Sequence, residues 1–153
     1  MSDILSTLNT LEIAPQIAFR KTEETAILPV KVCNSSLYKL CPAEDYTITT
    51  ENIHDIYIDT GIAICAAANV EITAIIPKLR YSDEYLDDGI INIHKTFIIN
   101  SGYRGPIEFS AFELFADELK QFPAFPIALD KYHPFCFLKV APVHSVAVKG
   151  AVL

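Results

Sequence analysis

What this chain has least of is positive charge. Twelve Lys and Arg stand against nineteen Asp and Glu in 153 residues, giving a formal net charge of −7 and a pI near 5.0. A nucleic-acid binder meets phosphate with a Lys/Arg-rich face, so no nucleic-acid partner is expected. Long apolar runs are also missing. The best of them, Gly61 to Val70, is broken by Asn69 and falls well short of the roughly 18–20 residues that span a bilayer, so no membrane partner is expected. Met1-Ser2-Asp3 puts an acid where a secretory signal carries base, and the expectation is a soluble chain that is not secreted. The four cysteines, Cys33, Cys41, Cys65 and Cys136, have no Cys-x-x-Cys spacing, which speaks against a zinc site or a disulfide scaffold. They read as reduced, mostly buried small hydrophobes. His54, His94, His133 and His144 are equally scattered, without His-x-x-x-His or His-Glu-x-x-His. No Gly-x-Ser-x-Gly elbow, internal repeat or low-complexity tract is present.

What the chain does have is apolar bulk. Hydrophobic residues make up 51% and aromatics 10%, which excludes a disordered chain. The length suits one domain that buries roughly two-thirds of its unfolded surface. Short β-branched or aromatic runs recur throughout. They are Ile13 to Phe19, Ala26 to Cys33, Tyr46 to Thr50, Asp55 to Ile64, Val70 to Pro77, Gly89 to Ile93, Thr96 to Ile99, Ile107 to Leu114, Ile127 to Ala128 and Phe135 to Val148. Turn-prone pieces such as Cys33-Asn34-Ser35-Ser36, Asp87-Asp88-Gly89 and Asn100-Ser101-Gly102 separate them. Many short strands at near-regular spacing predict an all-β sandwich or barrel. Helix is expected to be scarce: a turn or two over Asp3 to Leu11, and a strand followed by a loop, in preference to a helix, over Ala111 to Gln121. The domain plan is an N-terminal extension over residues 1–20, with Ile13, Ile17 and Phe19 adding an edge strand or forming an arm. A single β domain follows over 21–153.

Two stretches carry a resemblance. Tyr57-Ile58-Asp59-Thr60-Gly61-Ile62-Ala63-Ile64 holds a Thr-Gly-hydrophobic step, and Phe97-Ile98-Ile99-Asn100-Ser101-Gly102-Tyr103-Arg104-Gly105 ends in Tyr-Arg-Gly. Together with Lys131 to Val143, these segments make the chain resemble the trimeric dUTPase family from about Ala26 to Val146. The resemblance implies a distorted β-barrel or jelly-roll sandwich with little helix. It also implies a homotrimer that shares each active site among subunits and exchanges C-terminal segments. In the family the hairpin backbone reads uracil and its Tyr packs on the deoxyribose, so Asn100, Tyr103, Arg104 and Gly105 are the residual nucleotide-pocket candidates.

The departures from the family pattern are chemical. Hydrolysis there needs a carboxylate base, and Asn100 stands in its place; a neutral amide orients water but does not accept its proton. The acidic position of the first motif falls on Lys39, which repels Mg²⁺. Pro77-Lys78-Leu79-Arg80 lacks the hydroxyl and Gly of the Pro-Arg-Ser-Gly motif. The Gly-rich C-terminal arm has no counterpart. No catalytic residue, no resident metal and no cofactor are therefore expected. The expected function is a non-catalytic trimeric structural or protein-interaction module, cytoplasmic or virus-associated, in particle decoration or host-protein binding. One alternative is a divergent Mg-dependent dUTP diphosphatase, its base supplied by Glu108 or the Asp83–Asp88 loop. The other is a deoxyuridine-nucleotide sensor. The acidic stretches Asp83 to Asp88, Glu44-Asp45 and Glu51 otherwise read as solvated loops. Val152 and Leu153 are interaction candidates, since an apolar C-terminus enters carboxylate-capturing grooves by strand addition.

Overall fold

Strands form here where side chains alternate between a shared core and solvent. The computed structural model describes residues 10–14, 17–67, 69–77, 93–120 and 125–142 of the chain. Among these, β1 (Thr10–Ala14), β2 (Ile17–Lys21), β6 (Tyr57–Ala67) and β9 (Gly105–Ser110) form one antiparallel sheet in the order β1-β2-β6-β9. A second sheet has the order β3-β4-β11-β7-β8, from β3 (Val30–Lys31), β4 (Leu37–Leu40), β7 (Val70–Pro77), β8 (Ile93–Ile99) and β11 (Cys136–Pro142). β5 (Tyr46–Ile48) pairs with β10 (Ile127–Leu129) as a separate ribbon. The result is all-β, with α1 (Ala111–Phe115) and a following 3-10 helix (Ala116–Lys120) among the described residues.

One core cluster draws on both sheets. Ile17, Phe19, Ile58, Ile62 and Ile64 come from the first and Leu40, Ile72, Ile76 and Leu138 from the second. Successive strands β6 and β7 lie in different sheets, and Asn69 turns the chain between them in the left-handed conformation (φ 58°) that Asn tolerates.

The Thr60-Gly61 step breaks the β6–β9 register between Asp59 and Ala63. Several polar groups around this bulge find partners nearby, as buried backbone requires. Thr60, fully buried, donates its hydroxyl to Ile107 O (2.7 Å) and accepts from Ile62 N–H (3.3 Å). Gly61 N–H donates to Asp59 Oδ1 (2.8 Å), while Gly61 O accepts from Thr22 N–H (2.7 Å) and Asp59 O from Ala43 N–H (2.8 Å). Two loops are thereby tied to the middle of the first sheet.

Several local expectations change. The single run Ile13 to Phe19 is two antiparallel strands, with Leu11 opposite Phe19 and Ala14 opposite Ile17. The extension drawn over residues 1–20 therefore contributes an edge strand and most of an inner one, with Ile17 and Phe19 fully buried. Residues 1–9, including most of the expected N-terminal helical turns, lie outside those described. Ala26 to Cys33 contributes only the two residues of β3, and β4 was not anticipated. Ile107 to Leu114 is not one strand: β9 stops at Ser110 and helix follows, because Ala111, Leu114 and Phe115 then share one buried face. Of the run Gly89 to Ile93, residues 89–92 fall outside those described and Ile93 opens β8, whose second half is Thr96 to Ile99.

Candidate functional site

The segment Asn100 to Gly105 joins strands that do not pair with each other. Among the described residues β8 pairs only with β7, and β9 only with β6. Each is the edge of its sheet among those residues, where alternate backbone N–H and C=O groups have no strand partner. Between the two edges lies a cleft of about 250 Å³, lined by Ile98, Ile99, Asn100, Tyr103, Pro106, Ile107, Glu108 and Phe109.

The turn that closes the cleft is built by its own sequence. Tyr103 N–H donates to Asn100 O (3.1 Å), and Gly102 between them has φ 87° with open space about it. Positive φ at the third position marks a type II turn, where Gly is favoured. The Tyr103 hydroxyl donates to Pro106 O (2.8 Å) and so lays the ring across Gly105. A Cβ on Gly105 would stand 2.9 Å from that hydroxyl, at a φ of 148°. Behind the cleft, Phe109 meets Phe97 at 5.6 Å and Phe135 edge-on at 6.0 Å between ring centroids.

Of the four pocket candidates, Asn100 and Tyr103 line the cleft. Arg104 is exposed beside it, and Gly105 is the residue over which the tyrosine folds. Glu108 is the one charged side chain in the lining. Lys39 sits on β4, opposite Phe137 on one side and Val30 on the other, and does not line the cleft. Pro77 ends β7, while Lys78, Leu79, Arg80, the Asp83–Asp88 loop, Val152 and Leu153 lie outside the described residues. Sequence reasoning missed Ile98, Ile99, Pro106, Ile107 and Phe109 as lining residues. Their flanking of the Tyr-Arg-Gly turn was the available signal. Among the described residues, no group of three or more His, Cys, Asp or Glu is placed to hold a metal ion, and no helix is long and apolar enough to cross a membrane.

The titratable groups that depart from ordinary values lie elsewhere. Burial pushes the Cys136 and Cys41 thiols upward, which keeps them protonated; Cys65 is half-buried and Cys33 exposed. Beside the Thr-Gly bulge, desolvation and then the Asp59 and Glu44 carboxylates raise Glu23 above its usual value. A carboxyl raised on folding favours the folded state most where it is protonated, and loses that contribution as pH climbs through its folded pKa. Glu23→Gln is therefore expected to raise the urea midpoint slightly at neutral pH. The gain should shrink to nothing as pH falls below the ordinary carboxylate range, where Glu23 is protonated in both states. A gain that grows on acidification would contradict the assignment.

No family model matches this chain, and no curated protein matches it. Solved structures do. The dUTPase of Staphylococcus bacteriophage 80alpha, as an aspartate-to-asparagine mutant with dUpNHpp, is similar at a TM-score of 0.56 and 13% identity, over 90% of this chain and 97% of that one. The 80alpha enzyme with dUpNHpp gives 0.55 and 12%, over 90% and 89%. An aspartate-to-asparagine mutant of the dUTPase from phage phi11 of S. aureus, described with a structural Mg(II) ion, gives 0.56 and 12%, over 87% and 94%. At these identities the likeness is one of fold: the chain has a dUTPase-like, all-β fold.

Proposed function

We propose that this dUTPase-like chain is a non-catalytic module that acts as a homotrimer, holding a protein partner or a place in a larger assembly. The observation that carries the reading is the chemistry of the cleft. Its turn presents the neutral amide of Asn100, and its single charged lining group, Glu108, is an anion. A triphosphate asks for cations and for backbone N–H groups aimed at phosphate, together with a base for the attacking water. The cleft lining supplies no cation, and the net charge of −7 opposes the ligand at longer range. A cytoplasmic or virus-associated setting and a protein partner, with no nucleic acid, complete the proposal.

Isothermal titration with dUpNHpp, with and without Mg²⁺, tests the cleft, and sedimentation tests the assembly. No heat up to millimolar ligand is expected, with a particle of three times the 17.0 kDa chain mass. Micromolar binding that requires Mg²⁺ would overturn the non-catalytic reading, and a 17.0 kDa particle would overturn the trimer. One observation favours a second reading: the Glu108 carboxylate lines the cleft, and a carboxylate is a group that can accept a proton from water. Mg²⁺-dependent dUTP turnover lost in Glu108→Gln would establish that alternative. Binding without turnover, weakened in Tyr103→Ala, would make the chain a nucleotide sensor.

A further inference from the structure

Four asparagines lie among the described residues, and Asn100 differs from the other three in what holds it. The Asn52 side chain accepts from Thr49 N–H (2.7 Å) and donates to Thr47 O (3.0 Å), and the next amide, Ile53 N–H, donates to Thr49 O (3.1 Å). Asn34 is followed by a small residue, but Ser35 N–H is committed to Val32 O (3.0 Å). Asn69 is followed by Val70, whose branched Cβ crowds the intervening peptide. Asn100 has none of these protections. It is exposed, the next residue is the small and exposed Ser101, and among the described residues neither the Asn100 side-chain amide nor Ser101 N–H has a hydrogen-bond partner. The turn employs only Asn100 O, leaving the side chain to rotate against the following peptide.

We propose that Asn100 is a spontaneous deamidation site, which converts the one amide side chain of the cleft wall into a carboxylate. Solvent hydroxide removes the Ser101 amide proton. That nitrogen attacks Cγ of Asn100, a new C–N bond closes a cyclic imide, and the side-chain nitrogen leaves as ammonia after taking up a proton. Water then opens the imide at either carbonyl, to aspartate or to isoaspartate. No electron changes hands, and the only other reactant is water. Each conversion adds one negative charge to a cleft whose lining already holds Glu108. The isoaspartate branch also adds a methylene to the backbone, which disrupts the turn closed by Tyr103 N–H. The chemistry stands independently of the non-catalytic reading; its meaning for the cleft rests on that reading, because aspartate is a group that can accept a proton from water.

The test uses the full chain, aged at mildly alkaline pH and physiological temperature and then digested with trypsin. Asn100 falls in the peptide Thr96 to Arg104, of which it is the only asparagine. The fraction of that peptide carrying the amide-to-acid mass gain should rise several-fold faster than the fraction converted at Asn34 or Asn52. It should split into aspartate and isoaspartate products, the latter methylated by an isoaspartyl methyltransferase. The rate should increase with pH, and Ser101→Val should slow it several-fold. Asn100 intact while Asn34 converts, or equal rates at all three sites, would overturn the proposal. Nucleotide hydrolysis by an Asn100→Asp chain is measured in parallel. Its appearance would show that the cleft still takes a nucleotide and that Asn100 alone withholds the base, which contradicts the charge argument of the proposed function and leaves the deamidation result untouched.

Discussion

Gly61→Ala is expected to lose about 2–5 kcal/mol of stability, read as a fall in the urea midpoint at unchanged slope. Two costs combine. An alanine held at φ 67° pays roughly 1–2 kcal/mol for the left-handed conformation. Its methyl would also stand 2.7 Å from the Ala26 Cβ and 3.2 Å from the Ala43 Cβ, and forcing carbon into a filled site costs about 1–3 kcal/mol more. Ala26 is 3% exposed and Ala43 2%, so neither methyl has room to retreat. The two terms separate in a double-mutant cycle. Ala26→Gly in the Gly61→Ala background should recover the steric share and leave the conformational one. Full recovery would mean the backbone conformation is free of cost here, and no recovery would mean the clash is not where the geometry puts it. Against a typical domain stability of about 5–15 kcal/mol, this one methyl decides how much of the chain stays folded.

The Thr60-Gly61 step stood out in the sequence only through the resemblance, and the bulge it makes inside the run Asp55 to Ile64 was not foreseen. The turn Asn100 to Tyr103 was legible because it is written in four consecutive residues. β7 was legible end to end for a related reason. Lying between β11 and β8, it is buried along most of its length and so reads as a run rich in β-branched residues, Val70, Ile72, Thr73, Ile75 and Ile76, interrupted by the exposed Glu71. What stayed hidden depends on distant pairing. β4 buries only Leu40 fully, so Leu37-Tyr38-Lys39-Leu40 shows no clean period. Ala111, Leu114 and Phe115 have the i, i+3, i+4 spacing of a helix turn, but in a helix of only five residues that signal is short and was outweighed by the strand run ahead of it. Distant pairing also hid the cleft. Its turn was readable, but the separation of β8 and β9 into different sheets was not, because a local turn looks the same whether its flanking strands pair or diverge. The cleft walls follow from that divergence, which is why Asn100 and Tyr103 were found while Ile98, Ile107 and Phe109 were missed.

Phe135→Ala carries the second large effect, about 3–5 kcal/mol, because it empties a fully enclosed site. Phe135 is 1% exposed, and its N–H donates to Leu40 O (3.1 Å), which fixes the ring's approach at the start of β11. Its ring meets the Phe109 ring at 84°, and Phe109 in turn contacts Phe97 on β8, behind the cleft. The three rings thus connect β8, β9 and the residue ahead of β11, the only aromatic contact among the described residues that joins both cleft walls to the core. If burial sets the cost, Phe97→Ala should lose clearly less, since Phe97 is only half-buried and water can enter the space left behind. If the ring contacts themselves dominate, at about 0.5–1.5 kcal/mol per pair beyond area, the two variants should differ little once each is corrected for the contacts removed. Urea midpoints of the two single variants and the double variant decide it. Additive losses would mean the outer wall is supported independently of the core. A double variant losing less than the sum would show Phe109 transmitting the support from Phe135 to Phe97, so that the cleft keeps its width only as long as the core behind it is filled.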